Sequence, residues 1–142
     1  VTEARRRLET GQESGKFHLL NTNRRNNELD EEWMLKQEAV AAFYSPWKET
    51  IDIIQKGDVV FLYGSGVGIV AYGTATGERV VGDYGHDSGE RYSMKLTNFK
   101  KFDSPITAEE MQNILGRKVA FLRTRMPLAD GAKLLKKLRE AS

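Results

Sequence analysis

The chain has no cysteine, only two histidines and three prolines in 142 residues. Without cysteine there is no disulfide scaffold, no thiolate zinc site and no cysteine nucleophile, and a cytoplasmic setting is the expectation. His18 and His86 stand without a His-Glu or paired-His spacing, so no metal site is expected. Long apolar runs are missing as well. Nothing approaches the ~20 apolar residues of a membrane span, and the N-terminus lacks a signal-peptide core, so no membrane partner is expected. No Gly-Lys-Ser or Gly-Lys-Thr occurs, no serine has a nucleophile-elbow context, and no carboxylate pair stands in an apolar strand. The chain is therefore read as a non-enzyme with no cofactor.

What is present is an ordinary globular composition, 39% apolar and 30% charged, with a net charge of +2. Its length suits one domain with a real core. The charge is unevenly spread. Arg5-Arg6-Arg7, Arg24-Arg25, Lys100-Lys101 and the lysines of 133–139 form basic clusters available to a polyanion. The acids of Asp30-Glu31-Glu32 and Glu109-Glu110 suit helix starts, where the dipole favours them.

Residues 1–15 are polar and read as a linker or frayed leader, leaving 16–142 as the domain. "KFHLLNTN" gives a short strand ending in a polar turn. The apolar spacing from Asp30 to Tyr44 predicts one helix, broken by Ser45-Pro46, and "WKETIDIIQ" a second short helical piece. "DVVFLYG", "GIVAYGTATGE", "RVVGDYG" and "RYSMKLTNFKKF" read as strands, with a turn at 85–89 and Ser104-Pro105 ending the series. Thr107 to Glu110 forms a capping box. "KVAFLRTRM" predicts a last strand, and "PLADGAKLLKKLREAS" a terminal amphipathic helix. Strands interrupted by helices, not alternating with them, predict an α+β fold: a small mixed or antiparallel barrel of five to six strands with flanking helices.

The run Gly64-Ser65-Gly66-Val67-Gly68 invites a nucleotide-loop reading. A dinucleotide fingerprint requires a helix directly after its glycines, because the helix N-terminus holds the pyrophosphate. Here "IVAYGTA" follows, β-branched and strand-like. The run is therefore predicted to be a hairpin turn whose glycines supply positive φ.

One arrangement points further. "IIQKGDVVFLYGSGVGIVAYGTATGE" resembles the helix end, Gly-Asp strand, glycine turn and Gly-Ile-Val strand of the EVE domain, a PUA-like relative of the YTH domain. "FHLLNTN" and "AFYSPWKETI" add to it. The similarity covers about 16–80, and 81–142 by order of elements alone. Two features depart from the EVE pattern: Phe17-His18-Leu19-Leu20 replaces the usual opening tryptophan strand, and the Arg-Asn-Tyr helix is missing.

The resemblance implies a PUA-like barrel and a module that reads a flipped, modified base in an aromatic pocket. By position that pocket takes in Asn21, Thr22 and Asn23, then Tyr44 and Trp47, then Tyr63, Gly64 and Ser65. Phosphate contacts are expected from Arg24, Arg25, Lys95, Lys100 and Lys101. The implied partner is nucleic acid, DNA favoured over RNA, with a fused or partner nuclease or helicase. Aromatic faces stack a base, asparagine amides read its edge, and basic side chains hold the backbone. Each residue keeps a plainer reading: Trp33 and Tyr63 as core, Trp47 as core or wall, "NTNRRNN" as a polar loop. Two rival functions stay open, an enzyme acting on a nucleotide or modified base and a peptide or small-molecule interaction domain.

Overall fold

The computed structural model describes residues 16–120 and 123–141. The 1–15 leader expectation lies outside the described residues. Six strands form one curled, half-barrel sheet in the order β2-β5-β4-β3-β1-β6. They are β1 (Phe17–Asn21), β2 (Ala39–Phe43), β3 (Val59–Gly64), β4 (Gly68–Tyr84), β5 (Asp87–Ile106) and β6 (Arg125–Pro127). β1 and β3 run parallel and every other neighbouring pair is antiparallel, so the sheet is mixed as expected. Three helices flank it: α1 (Glu28–Gln37), α2 (Ala108–Leu115) and α3 (Gly131–Ala141).

Strand alternation divides the core in two. On β3, Val60 and Leu62 join Leu20, Met34, Val40, Ile51 and Met94 inside the curl. The intervening Val59, Phe61 and Tyr63 face outward, where Met111 and Leu115 of α2 and Leu134 and Leu138 of α3 cover them. The outer layer explains the amphipathic C-terminal helix. Thr107 caps α2 in a full capping box with Glu110.

The glycine run is a hairpin turn. Gly64 pairs with Gly68, Val67 N–H donates to the Gly64 carbonyl at 2.9 Å, and a strand, not a helix, follows. Gly68 has φ +124°, and a Cβ there would stand 2.2 Å from the Ile106 carbonyl oxygen. Only glycine fits that approach. No phosphate-binding helix N-terminus exists at this turn.

Several predicted elements are corrected. The single helix over 30–44 is α1 followed by the buried strand β2. Asn27 caps α1, accepting from Leu29 N–H, and Glu38 closes it in left-handed geometry at φ 53°. Ala39–Phe43 then pairs with Lys95–Arg91 of β5. Three alanines made this stretch look helical, but sheet pairing and complete burial outweigh that propensity. The piece at Lys48–Ile53 is a 3₁₀ helix. The predicted strands "GIVAYGTATGE" and "RVVGDYG" are one, β4, because the chain passes Gly77 at φ +85° with a register shift and no break. β5 continues through Pro105 to Ile106; of the predicted strand over 118–126, residues 121–122 lie outside the described residues, 118–120 and 123–124 are not strand, and its end belongs to β6.

Candidate functional site

The C-terminal ends of β1 and β2 open onto one cleft of about 500 Å³, bordered also by the segment entering β6. Each wall has a distinct chemistry.

The aromatic wall comes from the end of β2, the loop after it and the end of β4. Phe43 packs on Tyr84 at 4.3 Å between ring centroids, and Tyr44 meets Tyr84 edge-on at 5.5 Å and 87°. Trp47 stands beside them 55% exposed. An exposed tryptophan on a cleft wall is not a core residue, so its two open readings resolve to the wall. Tyr44 has φ +62° and Asn23 φ +64°, so two of the four non-glycine left-handed residues among those described lie here. Such geometry is unfavourable for tyrosine, less so for asparagine.

The polar wall is an interlocked set. Asn21 Oδ1 accepts from Asn23 N–H at 2.8 Å. Asn23 Nδ2 donates to Asp30 Oδ2 at 2.7 Å, and its Oδ1 accepts from Asn26 Nδ2 at 2.7 Å. Tyr84 O–H donates to the same Asp30 oxygen at 2.8 Å. These partners fix the amide orientations, because a backbone N–H and a carboxylate each accept only one assignment. Burial raises the Tyr84 phenol pKa, and the Asp30 bond adds to it. The Tyr44 hydroxyl donates to Asp87 in a very short bond, and that bond pushes its pKa up to about 12. Both phenols therefore stay neutral and face carboxylates.

The third wall carries Arg123 and Thr124. The Thr124 carbonyl accepts from Asn21 N–H at 2.8 Å, tying this segment to β1. Below it, a buried chain holds β6. Arg125 Nη1–H donates to His18 Nδ1 at 2.9 Å, and its Nε–H donates to Thr50 Oγ1 at 3.0 Å. His18, 1% exposed, donates from Nε2 to Asp58 Oδ2 at 2.7 Å. Desolvation lowers the His18 pKa, with Asp58 opposing it and Arg125 reinforcing it. Since guanidinium can only donate, His18 Nδ1 must remain an acceptor. This histidine is a strut of the fold.

Of the residues expected in the pocket, Asn21, Asn23, Tyr44 and Trp47 meet in the cleft. The other four lie elsewhere. Thr22 is fully buried, its hydroxyl donating to Glu31 Oε1 at 2.9 Å. Tyr63 belongs to the outer core and borders a small separate recess with Asn21 and Arg123. Gly64 is packed under Glu31, whose Oε1 would lie 2.5 Å from any Cβ there, and Ser65 is in the hairpin turn. The sequence reading missed Phe43, Tyr84 and Arg123. Phe43 was hidden by its placement in a helix, and Tyr84 comes from a hairpin distant in sequence.

The expected phosphate contacts are dispersed. Arg24 is committed to Glu31 at 2.5 Å, with Glu28 at 3.9 Å. Arg25 is exposed next to the polar wall. Lys95 donates to the Gln37 carbonyl at 2.8 Å and pairs opposite Ala39. That is four residues, about 13 Å, from the Phe43 end. Lys100 and Lys101 lie opposite Tyr72 and Ala71. Arg123 is the exposed cation that borders the cleft itself.

These features can be set beside known structures. The chain superposes on the solved structure of the MmI1 YTH domain with a TM-score of 0.55, over 89% of this chain and 97% of that one, at 12% identity. The fold is YTH-like. The YTH side of the sequence resemblance thus has a structural counterpart, whereas no protein-family model matches to support the EVE side. No curated protein matches the chain. With identity this low, the YTH-like likeness establishes architecture, and ligand chemistry rests on the cleft's own residues.

Proposed function

We propose that this chain is a nucleic-acid-binding module of EVE or YTH type that holds an extruded, modified base in the cleft, without catalysis of its own. The observation that carries the reading is the exposed Trp47, which lines one cleft with Tyr44, Tyr84 and Arg123. Stacking on an aromatic wall holds an unpaired base, and a rim cation holds the phosphate beside it. Arg123 and Arg25 take the phosphate role, since Arg24 is occupied by Glu31. The favoured ligand is DNA with a modified base, delivered to a fused or partner nuclease or helicase in the cytoplasm.

A binding array tests this, using DNA and RNA oligonucleotides, single- and double-stranded, each with one methylated, hydroxymethylated or unmodified base. Selective retention of one modified base supports the reading. Equal retention of all sequences, or none, would overturn it.

A further inference from the structure

The cleft has a charge pattern that a neutral base leaves unused. Its two tyrosine hydroxyls both donate to carboxylates, Tyr44 to Asp87 and Tyr84 to Asp30. A phenol that donates to an anion becomes richer in electrons, and the face of such a ring attracts positive charge more strongly. Asp30 is buried and accepts from Asn23 and Tyr84, with no basic side chain among its described partners. Asp87, which pairs across from Tyr84, is held against Tyr44. Phe43 and Trp47 complete a wall of four aromatic rings. The aromatic wall of the cleft is thus backed by two acids, while Arg123, the cation that borders the cleft among the described residues, is exposed. Among the described residues no ion pair neutralises Arg123.

From this we infer that the cleft takes a nucleotide whose base carries a formal positive charge, such as a base methylated on a ring nitrogen. The base sits among the acid-backed aromatic rings, and its phosphate sits on Arg123. A nucleotide of that kind is dipolar, positive at the base and negative at the backbone, and the cleft presents the complementary dipole. Cation recognition by clustered aromatic rings is strongest when the cation is desolvated, as it is in a cleft and not on an open surface. An uncharged methylated base would gain the same stacking but nothing from Asp30 or Asp87.

The inference rests on the base-reader function, and isomeric ligands separate the two. Single-stranded oligonucleotides with one central 1-methyladenine or one N6-methyladenine differ in charge but not in composition. The same holds for 3-methylcytosine and 5-methylcytosine. Titration of the full chain, followed by calorimetry, should show each charged isomer binding about tenfold tighter, the scale of one desolvated cation–π contact. Asp87→Asn, at the exposed start of β5, should lower that preference several-fold. Tyr44→Phe, which keeps the ring and loses the Asp87 bond, should act in the same direction. Equal or tighter binding of the uncharged isomers overturns the charge inference and leaves the reader function standing. Failure of every oligonucleotide to bind overturns both. Tighter binding of a trimethyl-lysine peptide than of any oligonucleotide also overturns both, and assigns the rings to a protein tail.

Discussion

The buried Arg125–His18–Asp58 chain makes stability depend on pH in a way that one substitution can isolate. His18 has a folded pKa below its ordinary 6.5, with desolvation as the largest cause. In the unfolded chain the ring binds a proton as pH falls through about 6.5, while in the fold Nδ1 is kept from protonation by the Arg125 guanidinium. The unfolded state then holds more protons, so stability is full above that pH and declines as pH falls toward the folded pKa. One such group contributes a slope of at most about 1.4 kcal/mol per pH unit. His18→Gln is the informative variant. Its amide nitrogen can donate to Asp58 and its amide oxygen can accept from Arg125, which keeps both bonds and removes the titration. Urea denaturation of both proteins between pH 5 and 7.5 should give curves that diverge toward low pH, with the variant losing less stability. Carboxylates and His86 are common to both and drop out of the difference. Parallel curves, with a constant offset at every pH, would refute the assignment of His18 as the neutral acceptor of Arg125.

Four further outcomes follow from the cleft and the fold that frames it. Trp47→Ala should lower preference for the modified base by about 1–3 kcal/mol, read by competition binding. Its stability loss should stay below the ~3–5 kcal/mol of a core tryptophan, since the side chain is largely exposed. Arg123→Ala should reduce the salt slope of binding by about one phosphate's worth, roughly 0.9 on duplex DNA. Arg24→Ala should instead act on stability, by about 1–3 kcal/mol in chemical denaturation, because it leaves the buried Glu31 without its cation. Thr107→Ala should cost about 1 kcal/mol in the same assay by removing the cap of α2.

Turn chemistry and strand composition were legible from the residues. The glycine turn, the Gly85 hairpin, the Thr107 box and the mixed barrel all rest on local rules that the tertiary structure leaves intact. Ala39–Phe43 failed because its identity as a strand depends on β5, where Ala39 pairs with Lys95 and Phe43 with Arg91. That error had a consequence in the site, since it hid Phe43 from the cleft. Asn21, Asn23, Tyr44 and Trp47 were found through resemblance and residue type. Thr22 and Tyr63 were not separable from them, because one step along a strand sends a side chain into the core or into the cleft. Tyr84 had no local signal, and only the length of the β4–β5 hairpin carries it there. The basic clusters misled in the usual way. A run of charge does not reveal which cation is already paired: Arg24 is paired, and Arg123 has no ion pair among the described residues.

The interlocked asparagine wall has a kinetic consequence. Asn21, Asn23, Asn26, Asp30 and Tyr84 already hold one another in fixed orientations, and Thr124 is tied to β1 by its carbonyl. A ligand meeting this polar wall has few rotamers to freeze there, so little of its interaction free energy is spent on ordering these side chains. The slow step of association then belongs to the nucleic acid. A base in a duplex must unstack and leave its partner before it can reach Trp47, whereas a single strand offers it at once. On-rates should therefore follow the opening rate of the target base pair and be fastest at mismatches and unpaired ends. Off-rates should report the cleft itself, because every contact that holds the base must break from walls that do not relax with it.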